Sequence, residues 1–362
     1  MAEPFKNEFN SKFFQQLVER IKFCYTDFDE TAFLALVFDE DWEGRELKQR
    51  MRHISVCLRQ YLPGDLSVAF DIIRQIAIDF GEKMDIAQMV FPDFVEHYGQ
   101  EHPMSLELLE HLTRYSSSEF AVRPFIVKDQ GSVMKLMYCW AKSDNYHIRR
   151  CASEGTRPRL PWAMALPALK KDPTPILPIL VQLKDDPELY VRRSVANNLN
   201  DIAKDNPDFV ISFAKAWLGQ SKNVDWVIKH GCRTLLKQGH TEVLSLFGYL
   251  PPDHLTVAEL QFNNKVLMGG VLSFSFSLIS NNYKSLGKLR LEFAIDFMKA
   301  SGKQARKVFQ ISEVVENKAQ RQVSKTFSFK AITTRKYYEG EHGLVILVNG
   351  VEMAKRSFSL SS

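Results

Sequence analysis

The sequence predicts a two-part protein, α then β: an array of repeated helices over 1–250, then a small β-sandwich over 254–362. Three observations predict it. The hydrophobic period changes from 3.6 to 2 after Pro251-Pro252-Asp253. The helical part repeats an Asp-led motif. Charge divides along the same line: from His254 onward 16 Lys and Arg stand against 8 Asp and Glu, and before it 31 stand against 35. A basic β segment suits a polyanionic partner, or merely keeps a small domain soluble.

Helices come first. Phe13, Phe14, Leu17, Ile21 and Cys24 recur at helical spacing, as do Leu106, Leu108, Leu109, Leu112 and Tyr115. Breaks fall at Leu62-Pro63-Gly64, His102-Pro103, Asp172-Pro173, Asp186-Pro187 and Asn206-Pro207. The clearest motif is Asp186-Pro187-Glu188-Leu189-Tyr190-Val191-Arg192-Arg193. Further copies begin at Asp144 and Val224, and a fainter one at Glu119. Their anchors Val122, Ile148, Val191 and Ile228 are 26, 43 and 37 residues apart. An Asp followed by V-R at a helix start resembles a HEAT repeat, a helix pair that stacks on its neighbours.

Within the repeat helices, Ile148, Cys151, Ala152 and Gly155 form an inward stripe, as do Val191, Ser194, Val195 and Asn198. Arg150, Glu154 and Arg157 share another stripe. Arg193 and Asn197 take the places of Arg150 and Glu154 in the next copy, His230 and Thr234 in the third, Pro124 and Lys128 in the faint one. This surface is mostly basic or neutral and suits a sugar–phosphate backbone. Arg149 and Arg192 can instead bond the Asp of a neighbouring repeat. Arg150, Arg157, Arg159 and Arg193 have no such ready partner and are expected on phosphate. Glu154 is the one acid at its position among the four copies. It is either an intrahelical ion pair or a carboxylate that stabilises positive charge on a sugar. Glu119 aligns with Asn145, Glu188 and Asp225, which suits a helix start.

Strands follow. Leu272, Phe274, Phe276 and Leu278 alternate with serines; Leu289, Leu291, Phe293, Ile295 and Phe297 alternate with Arg290, Glu292 and Asp296; Phe327, Phe329 and Ala331 alternate with polar residues. Each pattern predicts one buried and one wet face. Asn349-Gly350 predicts a type I′ hairpin. About seven such strands suggest an immunoglobulin-like sandwich, without the inter-sheet disulfide because the segment has no cysteine. Lys303, Arg306, Lys307, Arg335 and Lys336 are expected in its loops.

Composition narrows the function. The five cysteines form no CxxC pair, which excludes a disulfide framework and a zinc site. No metal, no cofactor and no reactive thiol is expected. No apolar run is long enough to span a membrane. The opening residues lack the apolar region of a secretory signal. A bacterial-type cytoplasm, on the nucleoid when acting, is the expected location, with no membrane partner and a monomeric chain. Trp42, Trp140, Trp217 and Trp226 are expected in the core. Trp162, after Pro161, is either a core plug or an exposed indole face.

The run Ala152-Ser153-Glu154-Gly155-Thr156-Arg157-Pro158-Arg159-Leu160-Pro161-Trp162-Ala163 resembles the AlkC family of DNA alkylation-repair glycosylases, HEAT-like-repeat proteins related to AlkD. Ala2-Glu3-Pro4-Phe5-Lys6-Asn7, Leu47-Lys48-Gln49-Arg50, Arg52-His53-Ile54 and Ser116 to Pro124 support the likeness. The resemblance implies a monofunctional glycosylase that hydrolyses the N-glycosidic bond of cationic bases, 3-methyladenine and 3-methylcytosine, in duplex DNA without base flipping. It implies Glu154 as the catalytic carboxylate, Glu119 as second candidate, and Trp162 against the lesion or its sugar. The DNA-binding set is then Arg123, Arg149, Arg150, Ser153, Arg157, Arg159, Arg193, Lys229 and His230. A non-catalytic repeat scaffold is the alternative.

Overall fold

A computed structural model describes residues 4–82, 85–332 and 335–362. Ala2 and Glu3 of the opening motif lie outside the described residues. The chain forms two compact units, Met1–Gly231 and Cys232–Ser362. No described helix is long and apolar enough to cross a membrane.

The first unit is helical throughout. Helices Tyr146–Gly155, Leu189–Ile202 and Lys222–Gly231 pack side by side, and helices Gln130–Trp140, Leu177–Leu183 and Pro207–Trp217 pack behind them. Start signals work as the sequence predicts: Asn145 Oδ1 accepts from the His147 and Ile148 amides at 2.9 and 3.4 Å. The inward stripes are buried in both repeat helices. Arg149 grips Asp186 of the next repeat through Nε and Nη2 at 2.7 and 3.1 Å, and Arg192 donates to the Asp186 and Pro187 carbonyls. The Arg149–Asp186 pair ties one repeat to the next, whereas Arg192 bonds its own repeat and not the Asp of a neighbour as expected.

Gly155 fixes how closely the helices approach. A Cβ there would sit 2.6 Å from Val122 Cγ2. Gly155→Ala is expected to destabilise the first unit by about 1–3 kcal/mol, read as a lowered thermal midpoint.

Among the described residues the second unit has eight strands. They are β1 (Leu255–Phe262), β2 (Lys265–Leu267), β3 (Val271–Ser280), β4 (Gly287–Met298), β5 (Gln304–Glu316), β6 (Gln320–Ser328), β7 (Gly340–Val348) and β8 (Val351–Ser361). Two sheets, β1-β3-β6 and β2-β8-β7-β4-β5, close over Phe274, Phe276, Leu291, Phe293, Ile295, Phe329 and Ile346. Asn349 and Gly350 both have positive φ (48° and 79°) and turn β7 into β8 as predicted.

Three expectations change here. The unit begins at Cys232, so helices Arg233–Lys237 and Thr241–Leu246 belong with the sandwich. Gly239 lies against Gly350, and Asn349 Nδ2 donates to the Leu250 carbonyl at 2.8 Å. The polar face of β4 is not wet: Arg290, Glu292 and Asp296 are buried. Arg290 lies between Glu292 and Glu313, and Asp296 between Arg306 and Lys355. Arg306 and Lys307 stand in β5 rather than a loop, and Arg306 is paired with Asp296 and Glu352.

Candidate active site

The segment after Gly155 is an irregular loop held by four cations. Arg123 is fully buried and donates Nε to the Met164 carbonyl at 2.7 Å and Nη1 to the Gly155 and Arg157 carbonyls at 2.9 and 2.8 Å. Burial, with repulsion from Arg157, lowers its pKa to about 10, so it stays charged at neutral pH. Arg157 Nε bonds Asp201 at 2.8 Å. Arg159 grips Asp205 at 2.8 and 2.6 Å. Lys48 Nζ donates to the Trp162 carbonyl at 2.8 Å. So held, Trp162 adopts φ +64° and leaves its side chain 64% exposed. A bulky residue rarely takes that left-handed conformation, and here the surrounding bonds impose it. Trp162 is therefore no core plug.

Carboxylates and guanidiniums alternate beside the loop. Glu119 accepts from Ser117 and Arg150. Arg150 also reaches Glu154 Oε1 at 3.6 Å and lies over the Tyr190 ring at 5.0 Å. Arg157 Nη1 meets the same Oε1 at 2.6 Å, and Asp201 ends the chain with Lys204 at 3.0 Å. Glu154 is only 6% exposed. Arg150 and Arg157 both approach it through Oε1. Burial works to lower the Arg157 pKa, but Glu154 and Asp201 outweigh it and the net shift is upward.

Glu119 and Glu154 line one cleft of about 280 Å³ with Lys48, Phe120, Arg157 and Trp162. Glu119 does not cap the helix Val122–Lys128; its carboxylate goes to Arg150 instead. Among the described residues no cluster of His, Cys, Asp and Glu could hold a metal. Burial pushes the Cys57, Cys151 and Cys232 thiols up to about 11, 11 and 12, which makes them poor nucleophiles.

Several residues expected on phosphate are occupied elsewhere. Arg123 is buried on loop carbonyls. Ser153 is buried and accepts from Ser194 Oγ at 2.9 Å. Arg149, Arg150, Arg157 and Arg159 each hold a carboxylate. The sequence pattern offers a neighbouring Asp for Arg149 alone; it puts Arg150 and Arg157 on a helix stripe, but the helix ends at Gly155 before Arg157, and the pattern does not show which acids the fold brings opposite. Arg193 and Lys229 are exposed, and His230 stacks on Trp226 at 5.1 Å. Trp226 is 38% exposed, unlike the buried Trp42, Trp140 and Trp217. Asp201 was missed, though a signal existed. Its repeat equivalents are Ser132, Pro158 and Gln238, so it is a lone acid in its register, as Glu154 is.

Residues 116–235, which hold both carboxylates and the loop, match the family described as DNA alkylation repair enzyme. Residues 256–362 match the C-terminal Ig-like domain of the uncharacterised protein YhaZ. Fold and site thus define a class, the helical-repeat proteins of DNA alkylation repair. The "Uncharacterized protein YhaZ" of Bacillus subtilis (strain 168) is 43% identical over 348 residues, 95% of this chain and 96% of that one. The Pseudomonas fluorescens alkylpurine DNA glycosylase AlkC, solved bound to DNA containing an abasic site analog, is 32% identical. That match covers 99% of this chain and 100% of that one, with a TM-score of 0.93. The chain belongs to the AlkC family.

Proposed function

We propose that this protein is a monofunctional DNA glycosylase that removes cationic N-alkylated bases, 3-methyladenine and 3-methylcytosine, from duplex DNA. One observation carries the reading: two arginine-held carboxylates share a cleft with an exposed, conformationally forced tryptophan. Carboxylates repel phosphate, so their retention in a DNA-repair fold calls for a positive charge to oppose.

The glycosidic C1′–N bond breaks with its electron pair leaving on the base. An alkylated base is already cationic and departs neutral, so no acid need protonate it. Positive charge then develops on the deoxyribose, and Glu154 stabilises it by charge. Water adds to C1′ and loses a proton, with Glu119 as the nearby acceptor, leaving an abasic deoxyribose. Trp162 lies against the lesion or its sugar from the open side, which needs no flipped base. Arg193, Lys229 and His230 contact the backbone, and the helical unit Met1–Gly231 carries both binding and chemistry.

The test is incubation with methylated duplex DNA followed by chromatography of the supernatant. Free 3-methyladenine is expected. Tight binding without any released base would favour a repeat scaffold.

A further inference from the structure

Arg150 serves two carboxylates at once. It pairs with Glu119 of the preceding repeat and reaches Glu154 Oε1, one turn along its own helix, at 3.6 Å. Both acids attract it and its side chain is long, so its place between them needs a further support. Tyr190, on the first turn of helix Leu189–Ile202, supplies one. The guanidinium carbon lies 5.0 Å from the centre of the Tyr190 ring, and the phenol hydroxyl is within hydrogen-bonding reach of the same guanidinium.

Tyr190 is itself braced. Its ring meets Tyr146 and His147 edge to face, with centroids 6.3 and 6.0 Å apart. Those two rings lie 4.0 Å from each other on the first turn of the Arg150 helix, and His147 is buried. Rings from two repeats thus form a base under one arginine. The other three copies hold Ala121, His147 and Val227 at the Tyr190 position, so the repeat itself does not call for a phenol there.

We propose that Tyr190 is a positioning residue for base release: it holds Arg150 on Glu119 and keeps it from closing on Glu154, whose charge stays available to the sugar. This rests on the glycosylase reading and adds a residue to it. An arginine closed on Glu154 through two parallel hydrogen bonds would offset that charge. Cation–π attraction to the Tyr190 ring, with the hydroxyl contact, opposes the closure. In this role Tyr190 touches neither base nor sugar, so its loss slows the chemical step and spares affinity for DNA.

Tyr190→Leu in the full-length protein tests the role. Single-turnover release of 3-methyladenine from methylated duplex is expected to fall about tenfold, an effect of the size that cation–π contacts give. Tyr190 is 37% exposed, so direct contact with DNA is the competing role. Binding to a duplex with a tetrahydrofuran abasic site separates the two and should stay within about twofold of wild type. Tyr190→Phe keeps the ring and should keep most of the rate. The decisive comparison is Arg150→Met with and without Tyr190→Leu. A residue that acts through Arg150 has nothing left to position there, so the second substitution should change the rate by less than about twofold. A wild-type rate in Tyr190→Leu, a Tyr190→Phe protein as slow as Tyr190→Leu, an undiminished effect in the Arg150→Met protein, or an equal loss of abasic-duplex binding would overturn the positioning role while leaving the glycosylase reading intact. No base release by the wild-type protein would overturn both.

Discussion

Glu154→Gln is expected to slow release of 3-methyladenine by about 100-fold or more while leaving lesion-duplex binding near wild type. The substitution keeps shape and hydrogen-bonding atoms but removes the negative charge. In the ground state the positive charge sits on the base and the phosphates are repelled by the carboxylate. The interaction strengthens as that charge moves onto the sugar beside Glu154. The loss therefore belongs in the chemical step and not in affinity. Removing the charge also leaves Arg150 and Arg157 with one fewer acid, so thermal unfolding should be followed alongside. Asp201 still holds Arg157 and Glu119 still holds Arg150. A Glu119→Gln protein that loses all activity beside a fully active Glu154→Gln would transfer the role to Glu119.

The largest effect on stability is expected from Arg123→Met. This side chain is fully buried and supplies donors to three loop carbonyls, those of Gly155, Arg157 and Met164. Methionine fills part of the volume but donates nothing, which strands three acceptors in the interior. A cost of about 3–5 kcal/mol follows, measurable by urea unfolding. Arg123→Lys should recover only part of it, because an ammonium cannot span the fork that reaches both ends of the loop. Base release should fall as well, since the same bonds hold Trp162 in its left-handed conformation.

The fold was legible in the sequence because it is written in periodicity. The switch from Leu106-Leu109-Leu112 spacing to Phe274-Phe276-Leu278 alternation separates helices from strands without any tertiary information. The wet face expected for β4 failed for the opposite reason. Arg290, Glu292 and Asp296 read as solvent-facing, but neighbouring strands place Glu313, Arg306 and Lys355 on them and the charges are satisfied in the interior. The candidate site divides in the same way. Glu154 stood out as the odd acid in a repeat register, a local signal. The arginines around it were read as phosphate ligands, because a helix stripe shows which residues lie together and not what faces them. Asp201 and Asp205 supply those partners from 44 and 46 residues away, whereas the bond of Arg149 to Asp186 of the next repeat is legible in the repeat motif. Arg123, read as a DNA contact, proved to be the latch that shapes the loop.

The central claim is that Glu154 acts by its charge on a cationic sugar. The most direct measurement is the ratio of dissociation constants for two duplexes, one with a neutral tetrahydrofuran abasic site and one with a cationic pyrrolidine in its place. The pyrrolidine mimics the charge of the transition state, and such mimics bind more tightly than neutral counterparts where an enzyme stabilises that charge. The wild-type protein is expected to prefer the cationic duplex by about tenfold or more, and Glu154→Gln to lose most of that preference. Equal binding of both duplexes by the wild-type protein, or an undiminished preference in Glu154→Gln, would contradict it.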